Sequence, residues 1–90
     1  MKTVFEKDIV YYLDDEGRRV TWINFPEVED GVVDIQHTVV DPAGRGQGLA
    51  GKITKELADT LRHDNKKAIL TCSYAVKWFG EHPEYGDIVK

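Results

Sequence analysis

Cysteine is nearly missing from this 90-residue chain, and the single one, Cys72, leaves no partner for an internal disulfide and no thiolate set for a zinc site. Such usage suits a reducing compartment. Long apolar runs are missing too. No stretch approaches the ~20 residues needed to span a bilayer, and the opening "MKTVFEKDIV" lacks the charged-then-apolar order of a secretion signal. The expectation is a soluble, cytoplasmic protein with no membrane partner. Surplus positive charge is also lacking: the net charge is -4, which excludes the general phosphate neutralisation on which nonspecific nucleic-acid binding rests. Residues 1 to 34 hold nine acidic and four basic side chains, residues 35 to 90 seven and eight. Either this is a solvated acidic surface, or the basic half meets a phosphate ligand while the acidic half draws a cationic partner. The length allows one domain with a single modest core and no second lobe.

Two β-prone runs, "TVFEKDIVYYL" and "RRVTWINF", flank the turn "DDEGR" and predict a hairpin. "VVDIQHTVV", reached through the turn region "PEVEDG", predicts a third strand that Pro42 ends. In "GLAGKITKELADTLRH", Leu49, Ile53, Leu57 and Leu61 recur every four residues, the stripe of an amphipathic helix. "AILTC" then reads as a short buried strand parallel to the third, because the helix has carried the chain back. "SYAVKWFG" predicts a second helix capped by Ser73, followed by a tail around Pro83. The class is α+β, in the order β-β-β-α-β-α, as one domain over residues 1–90.

Glycine concentrates in "VDPAGRGQGLAGK", where three anion-binding patterns overlap. All use glycine to turn backbone amides toward an anion where a helix begins. Gly46-x-Gly48-x-x-Gly51 spells a dinucleotide fingerprint, but that motif expects a parallel sheet and an acidic residue at the end of the next strand, where Thr71 and Cys72 stand. Gly46, Gly51 and Lys52 match a triphosphate P-loop except at Ile53, which offers no hydroxyl for magnesium. The third pattern is Arg45-Gly46-Gln47-Gly48-Leu49-Ala50, preceded by "VVDP" and followed by the helix.

That segment resembles the Gln/Arg-x-x-Gly-x-Gly/Ala motif of the GNAT superfamily of acyl-CoA-dependent N-acetyltransferases. With its flanks "IQHTVVDPAGRGQGLAGKI" and "TCSYAVKWFGEHPEYGDIV", the chain is similar to the very small, YjdJ-like branch. The resemblance implies acetyl-CoA as cosubstrate, no metal, and an amine acceptor that is a small molecule or a protein amine. It implies a monomer or weak homodimer. It further implies that backbone amides from Arg45 to Ala50 wrap the CoA pyrophosphate, and that the pantetheine arm runs in a cleft between two splayed parallel strands, along the open backbone of Val39 and Val40. Longer members carry further strands that build an acceptor pocket, and these are missing, which admits a non-catalytic acyl-CoA-binding module as the alternative.

Three side chains are candidates for chemistry. Cys72, at a helix start where its thiolate is favoured, is either an acyl-accepting nucleophile or a small buried hydrophobe. His37, in alternation with Val33, Ile35 and Val39, is either a general base or a buried, bonded histidine. Tyr74 either protonates the departing CoA thiolate or packs its helix. Lys52 and Lys77 touch a CoA phosphate or are simply solvated. Trp78, Phe79, His82, Pro83 and Tyr85 read as packing and chain-stop residues.

Overall fold

A computed structural model describes all residues, 1–90. The three predicted strand regions resolve into six strands: β1 (Lys2–Phe5), β2 (Ile9–Leu13), β3 (Arg19–Asn24), β4 (Glu27–Glu29), β5 (Val32–Ile35) and β6 (His37–Val40). Helix α1 (Leu49–His63), strand β7 (Lys67–Leu70) and helix α2 (Ser73–Glu81) follow. The α+β class and the helix order are those expected, and the strands are more finely cut. The first run does not form one strand, because Glu6, Lys7 and Asp8 turn the chain and the Glu6 amide reaches the Ile9 carbonyl at 2.9 Å. "PEVEDG" is more than a turn, since it carries the exposed strand β4.

Strands β1-β2-β3-β6 form an antiparallel sheet, and β4-β5-β7 a second one in which β5 and β7 run parallel. The two sheets are joined where "VVDIQHTVV" breaks at Gln36. Asn24 stands in register with His37, yet its carbonyl accepts from the Gln36 amide at 3.0 Å, so two consecutive residues oppose one. This is β-bulge geometry, and it sends the chain from one sheet to the other.

Helix α1 buries Leu49, Ile53, Leu57 and Leu61 together with Thr54 and Ala58, as the four-residue stripe requires. It lies across β2 and β3 and beside α2, whose Ala75, Trp78 and Phe79 complete the core. No helix is long and apolar enough to cross a membrane.

The segment after α2 is part of the core. Residues Pro83–Ile88 form a 3-10 helix that buries Tyr85 and Ile88, and Val89 makes a parallel bridge to Ala68 on the outer edge of β7. Arg62 on α1 grips Asp87 through two bonds of 2.6 and 3.0 Å, and the Tyr85 hydroxyl donates to Asp59 at 2.6 Å. The exposed ion pairs contribute little, so burial must hold the segment. Ile88→Val, at a site 2 % exposed, is expected to lower the unfolding free energy by about 1 kcal/mol. Urea denaturation at unchanged slope measures this, and no loss would mean that the segment is peripheral.

Candidate functional site

The loop between β6 and α1 is built to leave its amides unused. Asp41 caps a 3-10 turn over Pro42–Gly44 by accepting from the Ala43 amide, and Gly44 is buried so tightly against Val20 that a Cβ would lie 3.0 Å from a carbonyl oxygen. Gly46 and Gly48 then adopt φ of 82° and 68°, which side chains rarely allow. Gly48 is the N-cap of α1, with no side-chain cap and no acidic residue in the first turn. The amides of Gly46, Gln47, Gly48, Leu49, Ala50 and Gly51 donate no hydrogen bond within the chain. Six consecutive unpaired amides at the positive end of a helix are an arrangement that suits an anion. Of the predicted binding residues, Arg45 stands apart, because its amide already points to the Pro42 carbonyl at 3.3 Å.

Beside this loop the sheet opens. Strands β5 and β7 stay paired up to Ile35 and Leu70, and the amides of Thr71 and Cys72 both reach the Ile35 carbonyl at 3.2 and 3.0 Å. Beyond that point β6 follows β3, while the other chain turns into α2. The Asp41 amide bonds Val20, and the Val39 carbonyl accepts from the Thr21 hydroxyl at 2.6 Å. Antiparallel alternation therefore turns the backbone groups of Thr38 and Val40 to the open side. Of the predicted pair, Val40 keeps its place on the open edge, whereas Val39 is turned toward β3. Thr38 was missed; nothing local distinguishes its phase until the bulge is known.

Cys72 sits at the fork as the N-cap of α2, its sulfur 3.6 Å from Thr38 Oγ1, with Ser73 one position inside the helix rather than capping it. Burial pushes the thiol up, but the amides of Ala75, Tyr74 and Thr38 and the Thr38 hydroxyl together outweigh it, and the net shift is downward. Tyr74 shifts the other way: burial raises it, and the charges of Glu81 and Cys72 raise it further. A Cβ on Gly51 would lie 3.6 Å from the Tyr74 hydroxyl, so that hydroxyl stands beside the first turn of α1. One consequence is measurable. Because the thiolate is favoured, iodoacetamide should modify native Cys72 near neutral pH faster than unfolded protein, with the midpoint of rate against pH displaced downward. A midpoint at or above that of the unfolded chain would refute this.

His37 does not join the group. The bulge shifts the side-chain phase by one residue, so His37 lies on the opposite face from Val33 and Ile35, exposed and without a hydrogen bond. Thr38, next along the strand, is the residue that faces Cys72. Lys52 and Lys77 are exposed, while Trp78, Phe79 and Tyr85 are buried in packing roles; His82 is stacked on Trp78, with Nδ1 2.7 Å from the Trp78 carbonyl.

A helix-entry loop of unpaired amides thus lies beside a fork at the end of the parallel pair β5 and β7. The family model described as GCN5-related N-acetyl-transferase matches residues 9–88, and the chain belongs to that family. Among curated relatives, Protein NATD1 of Gallus gallus and of Homo sapiens are each 42% identical over 52 residues, which is 58% of this chain and 47% and 46% of theirs. The match thus spans about half the length of those relatives. Among solved structures, a GCN5-like candidate N-acetyltransferase from Staphylococcus aureus aligns over 99% of this chain and 87% of its own, with TM-score 0.80 and 27% identity. The GNAT family N-acetyltransferase YhbS from Escherichia coli, in complex with CoA, aligns over 64% and 35%, with TM-score 0.58 and 28% identity. Tetrahymena GCN5, at TM-score 0.67 and 12% identity, shares the fold.

Proposed function

We propose that the protein binds acetyl-CoA and transfers the acetyl group to an amine. The observation that carries this reading is the run of six unpaired amides from Gly46 to Gly51 lying beside the free edge of β6. The amides suit a pyrophosphate, and the open-side backbone of Val40 and the Thr38 carbonyl offer partners to the two amides of a pantetheine arm, the Thr38 amide being turned to Cys72. The thioester of a carrier seated this way ends at the fork, where Cys72 stands.

Transfer proceeds in two steps in this reading. The Cys72 thiolate attacks the thioester carbonyl, the bond from carbon to the CoA sulfur breaks, and the departing thiolate takes the Tyr74 hydroxyl proton. A neutral amine then attacks the acetyl-cysteine, restores the Cys72 thiolate and passes its surplus proton to Tyr74 or water. The downward shift of Cys72 fits the nucleophile, whereas the upward shift of Tyr74 keeps that hydroxyl protonated beforehand but makes it a weaker acid toward the departing thiolate. His37, exposed and turned from Cys72, is not assigned the base. The acceptor in this reading is an exposed amine, on a protein or a small molecule, that reaches the open fork, and the protein is a monomer or weak homodimer. The same openness favours a second reading, a non-catalytic acyl-CoA-binding module.

Titration calorimetry with CoA, acetyl-CoA, ATP and NAD, followed by mass spectrometry with acetyl-CoA and panels of protein, polyamine and small amines, tests both. CoA and acetyl-CoA are expected to bind and ATP and NAD not to, with acetylated product formed. Binding without turnover on any panel supports the module, and ATP or NAD binding without CoA binding refutes the site.

A further inference from the structure

On the side of α1 away from α2, a second cavity of about 350 Å³ opens between the helix and strands β1 and β2. Its walls include Thr3, Tyr12, Gln47, Leu49, Lys52 and Glu56. With about 100° between successive helix positions, Lys52 and Glu56 point about 100° and 140° round from Gly51, whose face meets Tyr74 and Trp78. The cavity is therefore distinct from the fork that holds Cys72.

Its charges are unspent. In the cavity beside β4, Glu27 and Glu29 already hold Lys66 and Lys90, leaving Lys7 and Asp8 without ion pairs but with no buried partner to orient them, and in the smallest cavity Arg62 holds Asp87. Lys52 and Glu56, one helical turn apart on the same face, pair neither with each other nor with any other charge. Glu56 is nonetheless fixed: Tyr12, only 2 % exposed, donates to its Oε1 at 2.5 Å, and the Thr3 hydroxyl donates to the same oxygen at 3.3 Å. Oε2 has no protein partner. An oriented, half-buried carboxylate with one vacant oxygen calls for a cationic donor, and the exposed ammonium of Lys52 a turn away is free to meet an anion on the same ligand.

We infer that this cavity binds a free α-amino acid with an uncharged side chain, its ammonium donating to Glu56 Oε2, its carboxylate accepting from Lys52, and its side chain resting toward Leu49. Such a molecule carries its ammonium and its carboxylate on one carbon, so a single ligand can meet two side chains one helical turn apart. A simple amine would leave Lys52 unanswered, and a simple carboxylate would leave Glu56 so. The inference does not depend on acetyl transfer.

Nuclear magnetic resonance titration of the full chain with L-leucine and other uncharged amino acids tests it, with 4-methylpentanoate lacking the ammonium and isoamylamine lacking the carboxylate. Leucine or another member of the set should shift the signals of Thr3, Tyr12, Lys52 and Glu56, which lie outside the amide run of Gly46–Gly51, and the two truncated compounds should bind at least tenfold more weakly. Glu56→Gln keeps the acceptor for Tyr12, so it should fold and retain CoA affinity yet lose amino-acid binding at least tenfold. Lys52→Met, at an exposed position, should lose it equally without weakening isoamylamine. Absence of any shift, shifts centred on Cys72 and Tyr74, or unchanged amino-acid affinity in either folded variant would overturn the inference. Should Glu56→Gln fail to fold, the Lys52→Met comparison decides alone.

Discussion

Gly48→Val is expected to fold and to lose CoA affinity by at least about 100-fold, ~2.7 kcal/mol. The two halves of that expectation have different causes. A Cβ at this position meets nothing within 4 Å, so the side chain fits without displacing any part of the core. The backbone is at φ 68°, however, where a branched residue costs roughly 1–2 kcal/mol, and stability should fall by about that much. In the proposed site the isopropyl group, projecting into open space beside the unpaired amides, would stand where an anion approaches Leu49 and Ala50. Circular dichroism and calorimetry separate the effects. A folded variant with undiminished CoA affinity would show that the loop is not the site.

Cys72→Ser is expected to lower acetyl transfer by about a thousandfold, ~4 kcal/mol of barrier, with CoA affinity kept. A serine hydroxyl is not ionised near neutral pH, so the same amides and Thr38 hydroxyl that favour a thiolate have no anion to favour. Wild-type protein incubated with acetyl-CoA alone should gain one acetyl mass that hydroxylamine removes, and the variant should gain none. Retention of transfer to within about tenfold, ~1.4 kcal/mol, would mean that the amine attacks the thioester directly and that Cys72 only packs the fork.

The helix and the loop were legible because their signals are local. Leu49, Ile53, Leu57 and Leu61 face the core as their spacing demands, and Gly46 and Gly48 take the positive φ that their clustering announces. The fork was legible only as a resemblance. What escaped is what two distant segments decide together. "VVDIQHTVV" alternates in a way that suits one unbroken strand, and only the competing demands of β3 on one side and β7 on the other place the bulge at Gln36. That single residue exchanged the roles of His37 and Thr38. The tail was read in part: Tyr85 packs, as a packing residue should, but the turn around Pro83 gave no sign that a 3-10 helix follows and buries Ile88 against the rest of the core.

The bridge from Val89 to Ala68 bears on how the chain folds as it is made. Strand β7 lies between β5, synthesised well before it, and Val89, synthesised well after it, so its pairing is long-range on both sides. The antiparallel meander β1-β2-β3 joins neighbours in the chain and can assemble early, whereas the parallel pair must wait for α1 to be complete. Ile88 and Tyr85 then close the core from beneath. A ribosome-bound chain lacking residues 85–89 would hold a finished hairpin sheet with the Tyr85 and Ile88 places in the core unfilled, so apolar surface stays uncovered until the closing segment emerges.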